Sequence, residues 1–350
     1  MADKKKLIFV LGMHRSGTSP ATRLLNILGA DLSLNLLQPD PDINEKGYFE
    51  DKDVVTLNES VLSHFNAAWY DIKSLPETWW QKDEVAPFKL NIKTILERNY
   101  NDFHLAVIKD PRLCILFPLW LDVIEDLYSP LCIFVLRHPV EVAKSLEKRD
   151  GIDRGYSYYL WMRYVLASEY HTRRLRRTAV TFDQILSDAY GISKKISNAL
   201  DIKWPKSFND NRHNVTQDIS TDLKHHSSER EALKTDSVLI EMAVDIFQKM
   251  TASDPDDHQN YFDTIRLKLD TPDDPIAKAL KDALQKTNAR RIKNTAKMME
   301  IGDMHSHALT VLAEQEQVII KLQTFKKKIF SHWAWPIMRR LPNRGVNLND

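Results

Sequence analysis

The residues best suited to chemistry lie early in the chain. Gly12-Met13-His14-Arg15-Ser16-Gly17-Thr18-Ser19 gathers two glycines, an arginine and three hydroxyls into eight positions. Between a buried strand and a helix, such a turn aims backbone N–H groups and the positive end of the helix dipole at one anion. The glycine spacing is G-x-x-x-x-G, yet the next residue is Thr18, where a nucleoside triphosphatase carries lysine. The cation stands inside the loop instead, as Arg15. Ser16, Thr18 and Ser19 supply hydroxyls and Arg15 neutralises charge, so the loop suits phosphate or sulfate oxygens and argues against ATP hydrolysis. His14 is read as shaping the loop rather than as a base. The pairs His225-His226 and His305-x-His307 lack metal-ligand spacing, and Asp254-Pro255-Asp256-Asp257 lacks the spaced ligands and glycine of a calcium loop, so no metal is expected.

The elements that must position this loop are legible as apolar runs. Residues 7–11 (LIFVL) contain no polar side chain and read as a strand buried on both faces. A helix opens at Thr18, with Pro20 in its first turn, Leu24, Leu25 and Leu28 on its apolar face, and Gly29 at its end. Residues 105–109 (LAVIK), 131–136 (LCIFVL) and 178–182 (TAVTF) are further strands. The first two of these end in Asp110-Pro111 and His138-Pro139, where helices should begin. Helical patterns cover 140–148 and 156–176. Strands alternating with helices predict an α/β, P-loop-like three-layer fold around a parallel sheet of four or five strands. Residues 206–235 are polar and read as a long loop, and the chain turns helical from Pro275. The expected division is an α/β domain over 1–270 and a helical extension over 271–350.

Composition narrows the function. The 350 residues carry 49 Lys and Arg against 48 Asp and Glu, a net charge of +1, so no global field favours nucleic acid. The two cysteines, Cys114 and Cys132, sit in apolar runs, which fits buried thiols in a reducing compartment. No apolar stretch approaches the eighteen or so residues of a membrane span, so a cytoplasmic location is expected.

The run His14 to Ser19 resembles the 5′-phosphosulfate loop of sulfotransferases that use 3′-phosphoadenylyl sulfate (PAPS), commonly [KR]-S-G-T-[ST]. Arg137-His138-Pro139 ends a strand and Ser145 follows eight residues after Arg137. The resemblance implies that Arg137 and Ser145 bind the donor's 3′-phosphate, and about two helical turns from Pro139 bring Ser145 toward the strand end. Lys109-Asp110-Pro111 is similar to the family's strand-end lysine step, implying that Lys109 stabilises the sulfuryl group in flight. Asn44-Glu45-Lys46-Gly47-Tyr48-Phe49-Glu50 is similar to the N-P-K-G-[FYW]-[FW]-E segment of bacterial and carbohydrate members, which implies a carboxylate base. Glu50 is the choice, because Tyr48 and Phe49 would dry it and raise its pKa. Glu45, Asp51 and Asp53 remain open beside it. The resemblance spans roughly residues 7–190.

There are departures. Many cytosolic members carry tryptophan after the loop to stack on adenine; here Pro20 stands there, and no replacement is evident. Pro111 occupies the position of their histidine base, which favours a carboxylate. Their glycine-rich C-terminal cofactor motif is absent, and Arg212 is the candidate substitute. Trp69, Trp79 and Trp80 follow the proposed base and suit either core packing or stacking on sugar rings. The expected reaction is sulfuryl transfer from PAPS, without metal, to a hydroxyl of a carbohydrate or glycolipid precursor. A nucleoside or small-molecule kinase with an atypical loop, and a non-catalytic nucleotide-binding protein of the same fold, are the alternatives. Ala308, Val311, Gln315, Val318, Leu322, Phe325 and Ile329 recur in steps of three and four, and residues 326–344 add six Lys or Arg with Phe330, Trp333 and Trp335. That extension suits self-association or contact with an anionic membrane surface.

Overall fold

The computed structural model describes residues 4–39, 47–71, 74–219, 238–252, 255–271 and 275–290. Glu45, the heptad-like positions from Ala308 onward, the basic aromatic tail and both histidine pairs lie outside the described residues. The chain divides into compact units Met1–Asn288 and Ala289–Asp350, and the sheet and the site belong to the first.

Four strands form one parallel sheet: β1 (Lys6–Leu11), β2 (Leu105–Lys109), β3 (Ser129–Leu136) and β4 (Arg176–Thr181), in the order β2-β1-β3-β4. The period-two alternation of side chains divides β1 between two cores. Leu7, Phe9 and Leu11 join Ile108, Cys132 and Phe134 on one face, while Ile8 and Val10 join Val107, Ile133 and Val180 on the other. The second face is covered by α1 (Thr18–Ile27), α8 (Ala189–Leu200) and α9 (Arg212–Asp218), through Leu24, Ile196 and Val215. The first face carries α2 (Lys52–His64), α3 (Ala86–Asn99), α4 (Leu113–Ile124), α5 (Pro139–Asp150), α6 (Arg154–His171), α10 (Val238–Met250) and α11 (Gln259–Asp270). A helix beginning at residue 275 adds Ile276 and Leu280 to that core.

The β2-β1-β3 order determines where the functional ends fall. Val10 pairs with Lys109, and Leu11 pairs with Phe134 three residues before Arg137. The turn after β1 is therefore flanked by the ends of β2 and β3, the edge at which open α/β sheets bind ligands.

Three of the expected elements differ in the structure. β4 stops at Thr181 because its hydroxyl accepts from the Gln184 N–H (3.1 Å) while Gln184 Oε1 accepts from the Thr181 N–H (3.0 Å). This capping box starts α7 (Phe182–Ser187), so Phe182 opens a helix rather than ending a strand. The polar stretch after Trp204 contains α9, because Val215 and Ile219, one turn apart, are buried against the sheet's second face. The helix expected over 156–176 ends at His171, since β4 begins at Arg176. Among the described residues no helix is long and apolar enough to cross a membrane.

Twelve of the eighteen residues of α6 are buried, including Glu169. Its carboxylate accepts from Arg173 (2.8 Å) and Arg177 (3.2 Å), and Arg173 also reaches Asp263 (2.8 Å), tying α6 to β4 and α11. His171 ends the same helix against the rings of Trp80 and Tyr170. Burial, with the Arg266 charge adding to it, pushes its pKa down to about 4. The unfolded chain takes up this proton near the ordinary histidine value, about 6.5. The contribution of neutral His171 is thus complete above that pH and is lost as the pH falls toward 4. Between pH 7 and pH 5 the loss should be about 2 kcal/mol. Urea denaturation of wild type and His171→Gln at both pH values checks this: the variant should lose less stability over the interval, by about that amount, and equal losses would refute the assignment.

Candidate active site

The loop after β1 closes in a small space. A Cβ at Gly12 would stand 2.6 Å from the Val135 carbonyl oxygen. Gly17 has φ of +88°, and a Cβ there would collide with the Phe182 ring. Only glycine meets both demands. The Gly12 N–H donates to Cys114 Sγ (3.1 Å), so a buried thiol accepts the first amide of the turn. Burial raises that thiol to about 12, which keeps it protonated. Arg15 holds φ of +69° although it carries a side chain, and Phe49, just before Glu50, holds +56°. Positive φ outside glycine is strained and concentrates at functional sites. Gly17 also caps α1 without a side-chain hydrogen bond, leaving first-turn amides available to a ligand.

Around this loop the sequence-identified residues meet in two groups. In the first, Arg15 Nε donates to Ser145 Oγ (2.8 Å) and Arg137 Nη1 donates to the Arg15 carbonyl (3.4 Å). Arg137 Nε donates to Glu141 Oε2 (2.8 Å), and its guanidinium lies 4.6 Å over the Phe182 ring. In the second, Lys109 Nζ donates to Glu50 Oε1 (2.5 Å), to the Tyr48 carbonyl (2.9 Å) and to Ser19 Oγ (3.3 Å). Ser19 joins this group to the loop. Lys109 and Glu50 are only 3% and 8% exposed. Burial raises the Glu50 pKa; Lys109 opposes that rise and Asp110 adds to it.

Asp51 has a different job. Its Oδ1 accepts from the Asp53 and Val54 amides (2.8 and 3.4 Å), capping α2, and its Oδ2 accepts from Asn99 (2.8 Å). Asp53 pairs with Arg98, Asn35 and Asn99. Both carboxylates serve the frame of α2, and Glu50 alone of the described candidates faces Lys109. Arg212 is exposed at the head of α9 and makes none of the contacts around the loop. Trp79 is a buried core residue, whereas Trp69 is partly exposed with its ring centroid 4.4 Å from that of His14.

Several contributors were not recognised in the sequence. Asp110, fully buried, accepts from Asn58 Nδ2 (2.8 Å) and from the Arg112 amide and Nη1 (3.0 and 2.8 Å), which anchors the chain directly after Lys109. Trp120 Nε1 fixes Asn58 (2.9 Å). Glu141 was detectable in principle, since Arg137 and Glu141 stand at i,i+4. Cys114 and Phe182 left no such signal, because their contacts with the loop are long-range.

Among the described residues, six buried side-chain polar atoms lack a hydrogen-bond partner, and three belong to this loop and its arginine: His14 Nε2, Ser16 Oγ and Arg137 Nη2. Burial, then the Arg112, Arg149, Lys109 and Arg15 charges, holds His14 well below the usual histidine range, so it is neutral at pH 7. Burial followed by Arg149 and Arg137 lowers the Arg15 pKa, a penalty an arriving anion would relieve. No group of three metal-ligating side chains occurs among the described residues.

The Lys109–Glu50 pair is testable without substrate. Lys109→Met leaves the Glu50 carboxyl buried beside Asp110 and should destabilise the fold by about 3–5 kcal/mol. Adding Glu50→Gln should recover most of that loss in a double-mutant cycle followed by denaturation; strictly additive losses would show that the two groups do not interact.

No protein-family model matches the chain, and no curated protein matches it. Among solved structures it is similar to the sulfotransferase domain from the Synechococcus PCC 7002 olefin synthase, with 15% identity and a TM-score of 0.41 over 71% of this chain and 96% of that one. It is also similar to the sulfotransferase domain from the curacin biosynthetic pathway, with 15% identity and a TM-score of 0.36 over 75% of this chain and 98% of that one.

Proposed function

We propose that the protein is a sulfotransferase that moves the sulfuryl group of PAPS to an acceptor hydroxyl. The observation that carries this reading is the cluster of unpartnered buried polar atoms at His14, Ser16 and Arg137 around a strained, glycine-closed loop. Such atoms are rare in native proteins and call for a partner, here an anionic ligand. Lys109, without a lysine at Thr18, separates the site from a Walker-type ATPase.

In this reading the loop amides, Ser16, Thr18 and Ser19 hold the 5′-phosphosulfate, with His14 lining it. Arg137 and Ser145 take the 3′-phosphate, and Gly17 permits the close backbone approach. Glu50 accepts the proton of the acceptor hydroxyl as its oxygen attacks sulfur. The S–O bond to the nucleotide breaks, and adenosine 3′,5′-bisphosphate leaves with the bond's electron pair. Arg15 and Lys109 stabilise the developing charge on the sulfuryl and bridging oxygens. A positioned base of this kind contributes about 10²–10⁴-fold. Burial raises the carboxyl's pKa, which makes it a stronger base than a solvated carboxylate. A partly exposed Trp69 beside His14 supports a ring-bearing acceptor such as a carbohydrate. Two buried, free thiols support a reducing, cytoplasmic setting.

Calorimetric titration with adenosine 3′,5′-bisphosphate, using 5′-AMP and ATP with magnesium as controls, tests the donor site. Binding should require the 3′-phosphate and weaken by about 2–3 kcal/mol in Arg137→Ala. Preference for ATP with magnesium would favour a kinase instead. For the base, transfer rate should rise with pH through the raised Glu50 pKa, because only the carboxylate accepts the proton. Glu50→Gln should abolish that acid limb and slow transfer by about 10²-fold or more, with bisphosphate affinity preserved. An unchanged acid limb would remove Glu50 from the role.

A further inference from the structure

One cation beside the loop, Arg149, is given no role by the donor chemistry proposed above. Arg149 lies in the last turn of α5, one turn beyond Ser145 and on the same helix face. Its Nε donates to both carboxylate oxygens of Asp150 (3.0 and 2.8 Å), which fixes the guanidinium plane. Its two Nη groups have no hydrogen-bond partner among the described residues, and the side chain is 24% exposed. The guanidinium stands 5.7 Å from the centroid of the Trp69 ring, within cation–π range, and the same ring packs on His14.

Trp69 is held from behind. Tyr164 donates its hydroxyl to the Trp69 carbonyl (2.7 Å) and Tyr156 donates to the adjoining Tyr70 carbonyl (2.8 Å). Asp71 closes the turn by accepting from the Ala68 amide (2.7 Å). A tryptophan whose backbone is fixed by two hydroxyls of the buried helix α6, with its ring on His14 and partly exposed, is a preformed platform. The guanidinium beside it has unused donors, and its charge acts on both His14 and Arg15. Arg15, Lys109 and Arg137 already match the charged groups of the donor.

We infer that Arg149 and Trp69 form an acceptor subsite for a negatively charged hydroxyl compound, the guanidinium pairing with a carboxylate or phosphate and the indole face covering the adjoining ring. The inference rests on the sulfotransferase reading and adds to it the charge class of the acceptor. A planar guanidinium pairs bidentately with either anion, which lysine does not.

The test uses the full chain saturated with adenosine 3′,5′-bisphosphate, titrated with a nitrophenyl glucuronide, the matching glucoside 6-phosphate and the neutral glucoside. The two charged probes separate a carboxylate source from a phosphate source. At least one should bind about tenfold or more tightly than the neutral glycoside, with a preference that shrinks as salt is added. Arg149→Gln should erase the preference, Arg149→Lys should restore part of it, and Trp69→Leu should weaken all three probes. Bisphosphate affinity in Arg149→Gln should stay within about twofold of wild type. Equal binding of charged and neutral probes, or binding of none, overturns the inference. So does a loss of about tenfold or more in bisphosphate affinity, which would assign Arg149 to the donor. Wild-type protein that fails to bind the bisphosphate would overturn the sulfotransferase reading itself, a result separate from any preference among acceptors.

Discussion

The turn between β1 and α1 exists because two of its residues have no side chain. At Gly12 the backbone passes so close to β3 that a methyl group would meet the Val135 carbonyl, and at Gly17 it turns with positive φ against the Phe182 ring. These two approaches force the intervening residues into a tight curve, and Arg15 takes a left-handed backbone conformation to complete it. The curve in turn presents the Arg15 carbonyl to Arg137 and the Arg15 guanidinium to Ser145. A bulkier loop would separate groups that now lie within hydrogen-bond distance of one another.

The electrostatics of the site follow from that crowding. Lys109, Arg112, Arg137 and Arg149 each have a carboxylate partner: Glu50, Asp110, Glu141 and Asp150 respectively. Arg15 has a hydroxyl instead. Buried charges are tolerated when paired, so the first four are held in place by their acids. Arg15 is the group whose burial an arriving anion would relieve, since burial and the Arg149 and Arg137 charges lower its pKa. The Lys109–Glu50 pair has two consequences: the lysine opposes the rise that burial imposes on the carboxyl's pKa, and the carboxylate keeps the lysine at the loop's edge beside Ser19.

Much of this was legible in the chain. Apolar runs bounded by glycine and proline mark strands that pair in parallel, because a strand buried on both faces has no polar side to alternate. The place of the loop was readable because strand, glycine spacing and helix are contiguous. Boundaries were less so: Phe182 belongs to a helix because of a capping box, and α9 is anchored only by Val215 within it and Ile219 directly after it. A polar segment offers too little periodicity to reveal such a helix.

Residue types and local spacing by themselves determined the α/β class, the glycine-closed loop between β1 and α1 and the charged residues available around it. Tertiary structure alone decided how those residues are partnered. Asp51 became a helix cap and Glu50 the partner of Lys109, although they are neighbours in sequence, because the strained turn at Phe49 points one into the site and leaves the other at the head of α2. Trp79 entered the core while Trp69 came to rest on His14. The physical reason is common to both cases: burial and charge pairing depend on contacts between residues tens of positions apart, and those distances exist only once the sheet has brought the strand ends together.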